Sequence, residues 1–397
     1  MLSLPLYSLC QAVPRLIFVG EYDRVLKNNQ IRGAVLETAK KRTLYFDVMR
    51  IIAIFIVFLN HTPAYTLYFF NNGIRKWICL FATVSMKICI PLFFMISGAL
   101  LLGKDEKWGT ILKKRVSRFA ITIVLFELLY ELVKYLVTLS RGSELNFTFL
   151  GLLGRIFAGD IIGLESYWYM YAHLGILLSL PFLRVVAKNM KKSDFIALTI
   201  FHFIFWTAVP AVALLLPGHV IKESLLHEDF VIPLAATKSM FFPLAGFWLD
   251  KNVDVEKFKR KDVALICIIY ITAVLISSLF TILEQNYTGA FSLYYVELLA
   301  YITSGSAFLL IKYLFTGGRV KFSAGMSNAM CTVGALSFSM YIFEPFCKLF
   351  FEEAYYNFVN PRFPMILNSL VWCIFCMIVG GTLGTLLKKV PGVRSLL

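Results

Sequence analysis

The segment from Arg50 to His61 carries an arginine and a histidine at the two ends of ten uncharged residues, nine of which are apolar. Eleven steps along a helix rotate by about 1100° and rise by about 16 Å, so both side chains lie on one face. Asp47 lies three residues before Arg50 and can pair with it. A guanidinium binds anionic groups through its forked donors, and an imidazole accepts a proton near neutral pH. The spacing therefore predicts an anion site and a base along one helix face.

Both end residues also have a non-catalytic interpretation. Arg50 could be a flanking charge whose side chain extends to the lipid headgroups, and His61 could be a polar residue at the opposite interface. An ionisable residue inside a membrane is costly, by at least about 2.5 kcal/mol for arginine, and such residues usually serve a function. The position of this pair favours the functional interpretation.

The composition predicts the environment of this helix. Of the 397 residues, 59% are hydrophobic and 16% are charged, and the mean hydropathy is +0.74. A soluble domain has about a quarter charged residues and about half apolar residues. These values exclude an ordinary soluble domain and predict an all-α, polytopic protein of the cell membrane, with the lipid bilayer as its surroundings. The net charge of +15 suits loops beside anionic headgroups, and nucleic-acid binding is not predicted because the charges flank apolar segments.

The apolar segments predict a bundle of about ten transmembrane helices. A hydrocarbon layer of about 30 Å requires about 20 apolar helical residues. The segments of this length are 45–65, 78–102, 116–140, 166–187, 194–216, 231–250, 263–283, 291–314, 330–351 and 364–387. They define a transmembrane domain at residues 43–388, between a lead-in at residues 1–42 and a tail at residues 389–397.

The charges between these segments predict the orientation. Lysine and arginine are concentrated before the first segment and in every second connection after it, whereas the other connections contain few. Because basic loops remain in the cytoplasm, both termini are predicted to be cytoplasmic. The lead-in could instead lie at the membrane interface, or reflect an over-extended start of translation.

Several motifs resemble those of the membrane acyltransferase 3 family. The stretch LYFDVMRIIAIFIVFLNH resembles the family's opening helix, in which an Asp-x-x-Arg lead and an Arg-x10-His spacing are characteristic. Asp47, Arg50 and His61 match this pattern in type and spacing. The stretch IPLFFMISGALL resembles the signature of the second helix, and Arg115 and Arg118 match the Arg-x-x-Arg that follows it.

Two later segments extend the resemblance, so that it covers residues 43–388. The stretch YWYMYAHLGILLSLPFL, which begins at Tyr167, is similar to the aromatic fourth helix of the family. The stretch FSMYIFEPF is similar to a late segment of the family. In that segment Glu344 stands where many members have histidine, so no role is transferred to it.

The resemblance implies acyl transfer from cytoplasmic acyl-CoA, with acetyl-CoA as the expected donor, to a hydroxyl of an extracytoplasmic glycan or lipid-linked saccharide. His61 would act as the general base or would carry the acyl group covalently, and both routes stay open. Arg50 beside Asp47, together with Arg115 and Arg118, would hold the anionic donor. The residues expected at the acceptor are Tyr167, Trp168 and His173.

Other functions are also compatible with the sequence. An intramembrane arginine and histidine suit a transporter or exporter of a polysaccharide or small anion, although no pair of broken helices from an inverted repeat is evident. A non-catalytic partner in glycan assembly is a further alternative. The arginines could be flanking charges, and the aromatic residues an interfacial belt. His219 and His227 share an outer connection, but their irregular spacing predicts no metal site, and the sequence specifies no oligomeric state.

Overall fold

Helices account for most of the described residues, because a backbone in lipid must satisfy its own hydrogen bonds. The computed structural model describes residues 29–62, 73–142, 149–216, 218, 232–289, 293–358 and 365–396, and no strand occurs among them. The helices are α1 (Asn29–Asn60), α2 (Ile74–Met86), α3 (Cys89–Leu101), α4 (Trp108–Ile111), α5 (Ser117–Ser140), α6 (Phe149–Ala158), α7 (Trp168–Asn189), α8 (Lys192–Phe203), α9 (Val209–Leu215), α10 (Pro233–Ala236), α11 (Lys238–Asn252), α12 (Arg260–Thr288), α13 (Leu293–Val296), α14 (Ala300–Phe315), α15 (Ala324–Phe358) and α16 (Met365–Leu387). Two π-helical segments also occur, Leu112–Val116 and Ile204–Ala208. Residues 1–28 of the lead-in, His219 and His227 lie outside the described residues.

Seven helical segments of the described residues are long and apolar enough to cross a membrane. They are Ile74–Leu101, Glu165–Asn189, Lys192–Leu215, Arg260–Thr288, Tyr294–Phe315, Ala324–Tyr355 and Ile366–Leu387. The prediction of an all-α, multi-pass membrane protein is confirmed, whereas the count of about ten stays a prediction. The other three predicted segments fall on α1, on α5, which carries Glu127, Glu131 and Lys134, and on α11, which has only 15 residues.

Two features of the helices are absent from the hydropathy pattern. The predicted segment 78–102 contains two helices, α2 and α3, which are separated at Lys87 and Ile88. The ten-residue helix α6 lies between two predicted segments and buries Leu152 and Ile156. The break after α2 matters for the site, because it places Lys87 against the last residue of α1.

Contacts around Asp250 join the ends of α11 and α14 to the middle of α1. The hydroxyl of Tyr45, near the start of the apolar part of α1, donates a hydrogen bond of 2.5 Å to Oδ1 of Asp250 at the end of α11. Nζ of Lys312, at the end of α14, lies 3.3 Å from the same oxygen. The three residues belong to one side of the membrane in the loop-charge prediction. Which side faces the cytoplasm stays a prediction.

Helices α3 and α11 cross in direct backbone contact. A Cβ added to Gly98 would lie 1.9 Å from the carbonyl oxygen of Pro243, and one added to Gly246 would lie 2.2 Å from that of Met95. Small residues allow this approach in a membrane, where helices associate by packing rather than by exclusion of water. The crossing fixes α3, which supplies one wall of the site described below.

The substitution Gly246→Ala tests this crossing. The added methyl group would overlap the backbone of α3, and overpacking of this kind costs about 1–3 kcal/mol or more. We therefore expect the melting temperature of the detergent-solubilised protein to fall. The matched control is Gly175→Ala on α7, where a Cβ would meet no atom within 4 Å and alanine is the better helix former. Equal melting temperatures for the two variants would contradict the crossing.

Candidate active site

The three arginines singled out in the sequence line one cavity. Arg50 from α1, Arg115 from the first π-helical segment and Arg118 from α5 surround a volume of about 350 Å³, which we call the inner cavity. Nη1 of Arg50 lies 2.5 Å from Oδ1 of Asp47, which is the ion pair that their spacing predicts. Asp47 is held by the close approach of α15, since a Cβ on Gly334 would lie 2.7 Å from that of Asp47.

Arg115 is fixed by a carboxylate outside the membrane-spanning helices. Its Nε and Nη2 donate to the two carboxylate oxygens of Glu106 at 3.0 and 2.6 Å. Arg184 donates to the same carboxylate at 2.7 Å and to the carbonyl of Leu101 at 3.1 Å. The hydrogen bond from Arg115 is the main reason that the pKa of Glu106 falls to about 2, with Arg184 acting in the same direction and burial opposing both. The cluster therefore holds Arg115 in place at any physiological pH.

Two polar groups in the inner cavity have no partner among the residues that the structure describes. Among the described residues, no carboxylate lies within ion-pair distance of Arg118. Nδ1 of His173 is buried and has no hydrogen-bond partner within the same part of the chain. Buried polar groups are nearly always satisfied in folded proteins, so the buried Nδ1 indicates a polar ligand in the cavity. Arg118 is exposed, and its charge is therefore available to an anion that enters the cavity. His173 therefore lies with the predicted donor-binding residues, and not with Trp168 as the sequence led us to expect.

His61 lies one residue beyond the end of α1 and faces two further cavities. Its backbone N–H closes the last turn by donating to the carbonyl oxygens of Val57 and Phe58 at 3.2 and 3.1 Å. The side chain is 25% exposed and lines both cavities, as does Trp168. The first, of about 650 Å³, is here called the aromatic outer cavity, and its rings are Phe94, Trp168, Trp206, Phe242, Tyr294 and Tyr341. The second, of about 670 Å³, is here called the acidic outer cavity, and its carboxylates are Glu165, Glu344, Glu352 and Glu353.

Glu344 is the site residue to which sequence reasoning assigned no role. Its side chain is only 2% exposed, and Oε1 lies 3.3 Å from Nδ1 of His61 and 2.9 Å from Nζ of Lys348. The contact with His61 is one of charge and distance, since neither Nδ1 nor Oε1 makes a hydrogen bond within the described residues. A negative charge beside Nδ1 favours the tautomer that carries its proton there and leaves Nε2 free to accept another. The signal for this contact was the unusual glutamate of the FSMYIFEPF segment, but only the fold brings it to His61.

Tyr341 separates the inner cavity from the aromatic outer cavity. It lines both, and its hydroxyl donates to the carbonyl of Ser166. Arg50 and His61 therefore face different cavities that share this ring as a wall. Tyr167 lines none of the three cavities, since its ring is buried against Tyr341 and its hydroxyl donates to the carbonyl of Ile342 at 2.7 Å.

Comparison with known proteins adds one positive finding. A family model described as an acyltransferase domain matches residues 43–388, nearly the whole chain. Neither the comparison with curated proteins nor that with solved structures found a match. The matched range contains every residue of the three cavities except Leu396.

The cluster around Glu106 predicts a pH-dependent stability. The pKa of Glu106 in the folded protein, about 2, lies below its ordinary value of 4.5. The stability that its ionised carboxylate contributes is therefore present above about pH 4.5 and is lost as the pH falls towards 2. We expect Glu106→Gln to destabilise the protein by about 1 kcal/mol at pH 7 and by less at pH 3. Melting temperatures at the two pH values measure this effect. The control is Asp105→Asn, because Asp105 is the exposed neighbour. A deficit that is equal at both pH values would contradict the assignment.

Proposed function

We propose, on the premise that this chain belongs to the membrane acyltransferase 3 family, that it transfers an acyl group from cytoplasmic acyl-CoA to a hydroxyl of an extracytoplasmic glycan or lipid-linked saccharide. Family membership makes the protein a membrane acyltransferase, and the resemblance seen in the sequence is thereby confirmed. The identity of the donor, the identity of the acceptor and the roles of individual residues are what we propose. Acetyl-CoA is the donor that we propose first.

The observation that carries the proposal is a basic cavity and a histidine on opposite sides of one tyrosine ring. Coenzyme A is a phosphorylated anion with a long pantetheine arm. The guanidinium groups of Arg50, Arg115 and Arg118 suit its phosphates, since arginine forms forked, charge-assisted hydrogen bonds with phosphate oxygens. Nδ1 of His173, which has no hydrogen-bond partner in the described part of the chain, offers a further polar contact within the inner cavity. The arm would then pass Tyr341 and bring the thioester to His61.

In the proposed reaction, Nε2 of His61 removes the proton from the acceptor hydroxyl. The hydroxyl oxygen attacks the thioester carbonyl, the carbon–sulfur bond breaks, and the proton from His61 passes to the departing thiolate of coenzyme A. The negative charge of Glu344, 3.3 Å from Nδ1, stabilises the imidazolium that forms between these steps. A covalent route would use the same Nε2 as the nucleophile, so the contact with Glu344 serves either mechanism.

The charge pattern of the connections supports this direction of transfer. Arg50, Arg115 and Arg118 lie next to connections that are rich in lysine and arginine, which the positive-inside rule assigns to the cytoplasm. His61 lies at the other end of α1, beside connections with few basic residues. The donor would therefore bind from the cytoplasm, and the acceptor would approach His61 from the opposite side.

The direct test adds radiolabelled acetyl-CoA to membranes that contain the protein and the glycan of the host. We expect His61→Gln to lower the rate of label transfer by about 100-fold or more while donor binding persists, because a general base contributes about 10²–10⁴-fold. Arg118→Met should instead raise the KM for acetyl-CoA by about tenfold and leave kcat nearly unchanged, since it removes a charge-assisted contact.

The matched control for Arg118→Met is Arg75→Met, because Arg75 is an exposed arginine of α2 that lines none of the three cavities. Normal labelling by His61→Gln would overturn the catalytic role of His61. Loss of glycan export in that variant, with labelling intact, would instead identify a transporter.

A further inference from the structure

The aromatic outer cavity contains two lysines in very different surroundings. Lys238, at the start of α11, forms an ion pair with Glu297 and lies 4.6 Å from the centre of the Trp206 ring. Its charge is therefore already balanced by a carboxylate. Lys87, between α2 and α3, lines the same cavity and is half-buried.

Lys87 has an amide oxygen as its partner in place of a carboxylate. Its Nζ donates a hydrogen bond of 3.2 Å to Oδ1 of Asn60. Nδ2 of Asn60 donates to the carbonyl of Ile56 at 3.0 Å, and this bond turns Oδ1 towards the lysine. Within the described ranges, no carboxylate lies within ion-pair distance of Lys87. A half-buried cation in a membrane protein is costly, and the cost falls when an anionic group binds beside it.

Lys87 lies close to the histidine that acts as the base in the proposed reaction. Asn60 is the residue immediately before His61, so the lysine is held next to the base. An acceptor whose hydroxyl reaches His61 would place its neighbouring groups near Lys87. The rings of Trp168 and Trp206, which line the same cavity, suit the apolar faces of sugar rings.

We infer that the acceptor carries an anionic group, a phosphate or a carboxylate, close to the hydroxyl that is acylated, and that Lys87 binds this group in the aromatic outer cavity. The inference rests on the proposed role of His61. It makes Lys87 a residue that determines acceptor specificity.

The acidic outer cavity suits such an acceptor poorly. Four carboxylates line it, against the two cationic side chains of Arg141 and Lys348, and Lys348 is already paired with Glu344. An anionic group would be repelled there and attracted beside Lys87, since like charges raise the free energy of binding and opposite charges lower it. The two cavities that meet at His61 therefore discriminate by charge.

The charge of the labelled product tests the inference without knowledge of its identity. Membranes that contain the wild-type protein are incubated with radiolabelled acetyl-CoA, and the labelled product is extracted and applied to an anion exchanger at pH 7. We expect retention of the label and its elution by salt. Mild acid, which cleaves a sugar from a lipid phosphate, then separates two supporting outcomes. The label stays anionic when the group is a carboxylate or phosphate ester of the saccharide, and it becomes neutral when the group is the lipid phosphate.

Variants of Lys87 link the product charge to this residue. With a dilution series of the extracted membrane glycan as acceptor, Lys87→Met should raise the acceptor KM by about tenfold, because a lost ion contact of about 1.4 kcal/mol corresponds to that factor. The KM for acetyl-CoA should not change, which also shows that the variant is folded. Lys87→Arg should restore most of the affinity. The control Lys76→Met removes a lysine of α2 that lines none of the three cavities.

The outcomes separate this inference from the proposed function. A neutral or cationic product, or an unchanged acceptor KM in Lys87→Met, overturns the anionic acceptor and leaves the acyltransferase reaction intact. Absence of any labelled product from the wild-type protein overturns the proposed reaction, and the inference falls with it.

Discussion

The site depends on one carboxylate that is buried beside one histidine. Glu344 is almost fully enclosed, and a lone charge there would be costly, so Lys348 balances its charge while Nδ1 of His61 lies 3.3 Å from the same oxygen. The imidazole is placed at the end of α1, where the backbone N–H of His61 still closes the last turn. Helix α15 packs closely along α1, with Gly334 against Asp47 at one end and Glu344 against His61 at the other. One pair of helices thus positions the ion pair of the inner cavity and the base.

Separation of charge organises the rest of the site. The inner cavity gathers arginines, the acidic outer cavity gathers carboxylates, and the aromatic outer cavity has one lysine that no carboxylate of the described residues balances. Tyr341 stands between the inner and aromatic cavities with its hydroxyl tied to Ser166. In the proposed reaction this arrangement keeps a phosphorylated donor on one side of the ring and the base on the other. Only a slender acyl-carrying arm has to pass between them.

Local spacing predicted part of this site, and long-range packing determined the rest. The pairing of Asp47 with Arg50 follows from helical geometry, and the position of Arg115 and Arg118 beside one cavity agrees with their spacing of three residues. The contact of Glu344 with His61 joins two distant parts of the chain, so no periodicity reveals it. The burial of Tyr167 also depends on a distant part of the chain, because its hydroxyl donates a hydrogen bond to the carbonyl of Ile342 inside the bundle. In the sequence, its aromatic neighbours resemble an interfacial belt. Hydropathy also failed to predict α6, which is too short to span the membrane.

A double-mutant cycle on His61 and Glu344 tests the central interaction most directly. The kcat for label transfer from acetyl-CoA is measured for the wild type, Glu344→Gln, His61→Gln and the double variant, with the KM for acetyl-CoA as the check on folding. If Glu344 acts through His61, Glu344→Gln alone lowers kcat by about tenfold or more, and the same change has no further effect once His61 is replaced. Independent effects that multiply in the double variant would contradict the account.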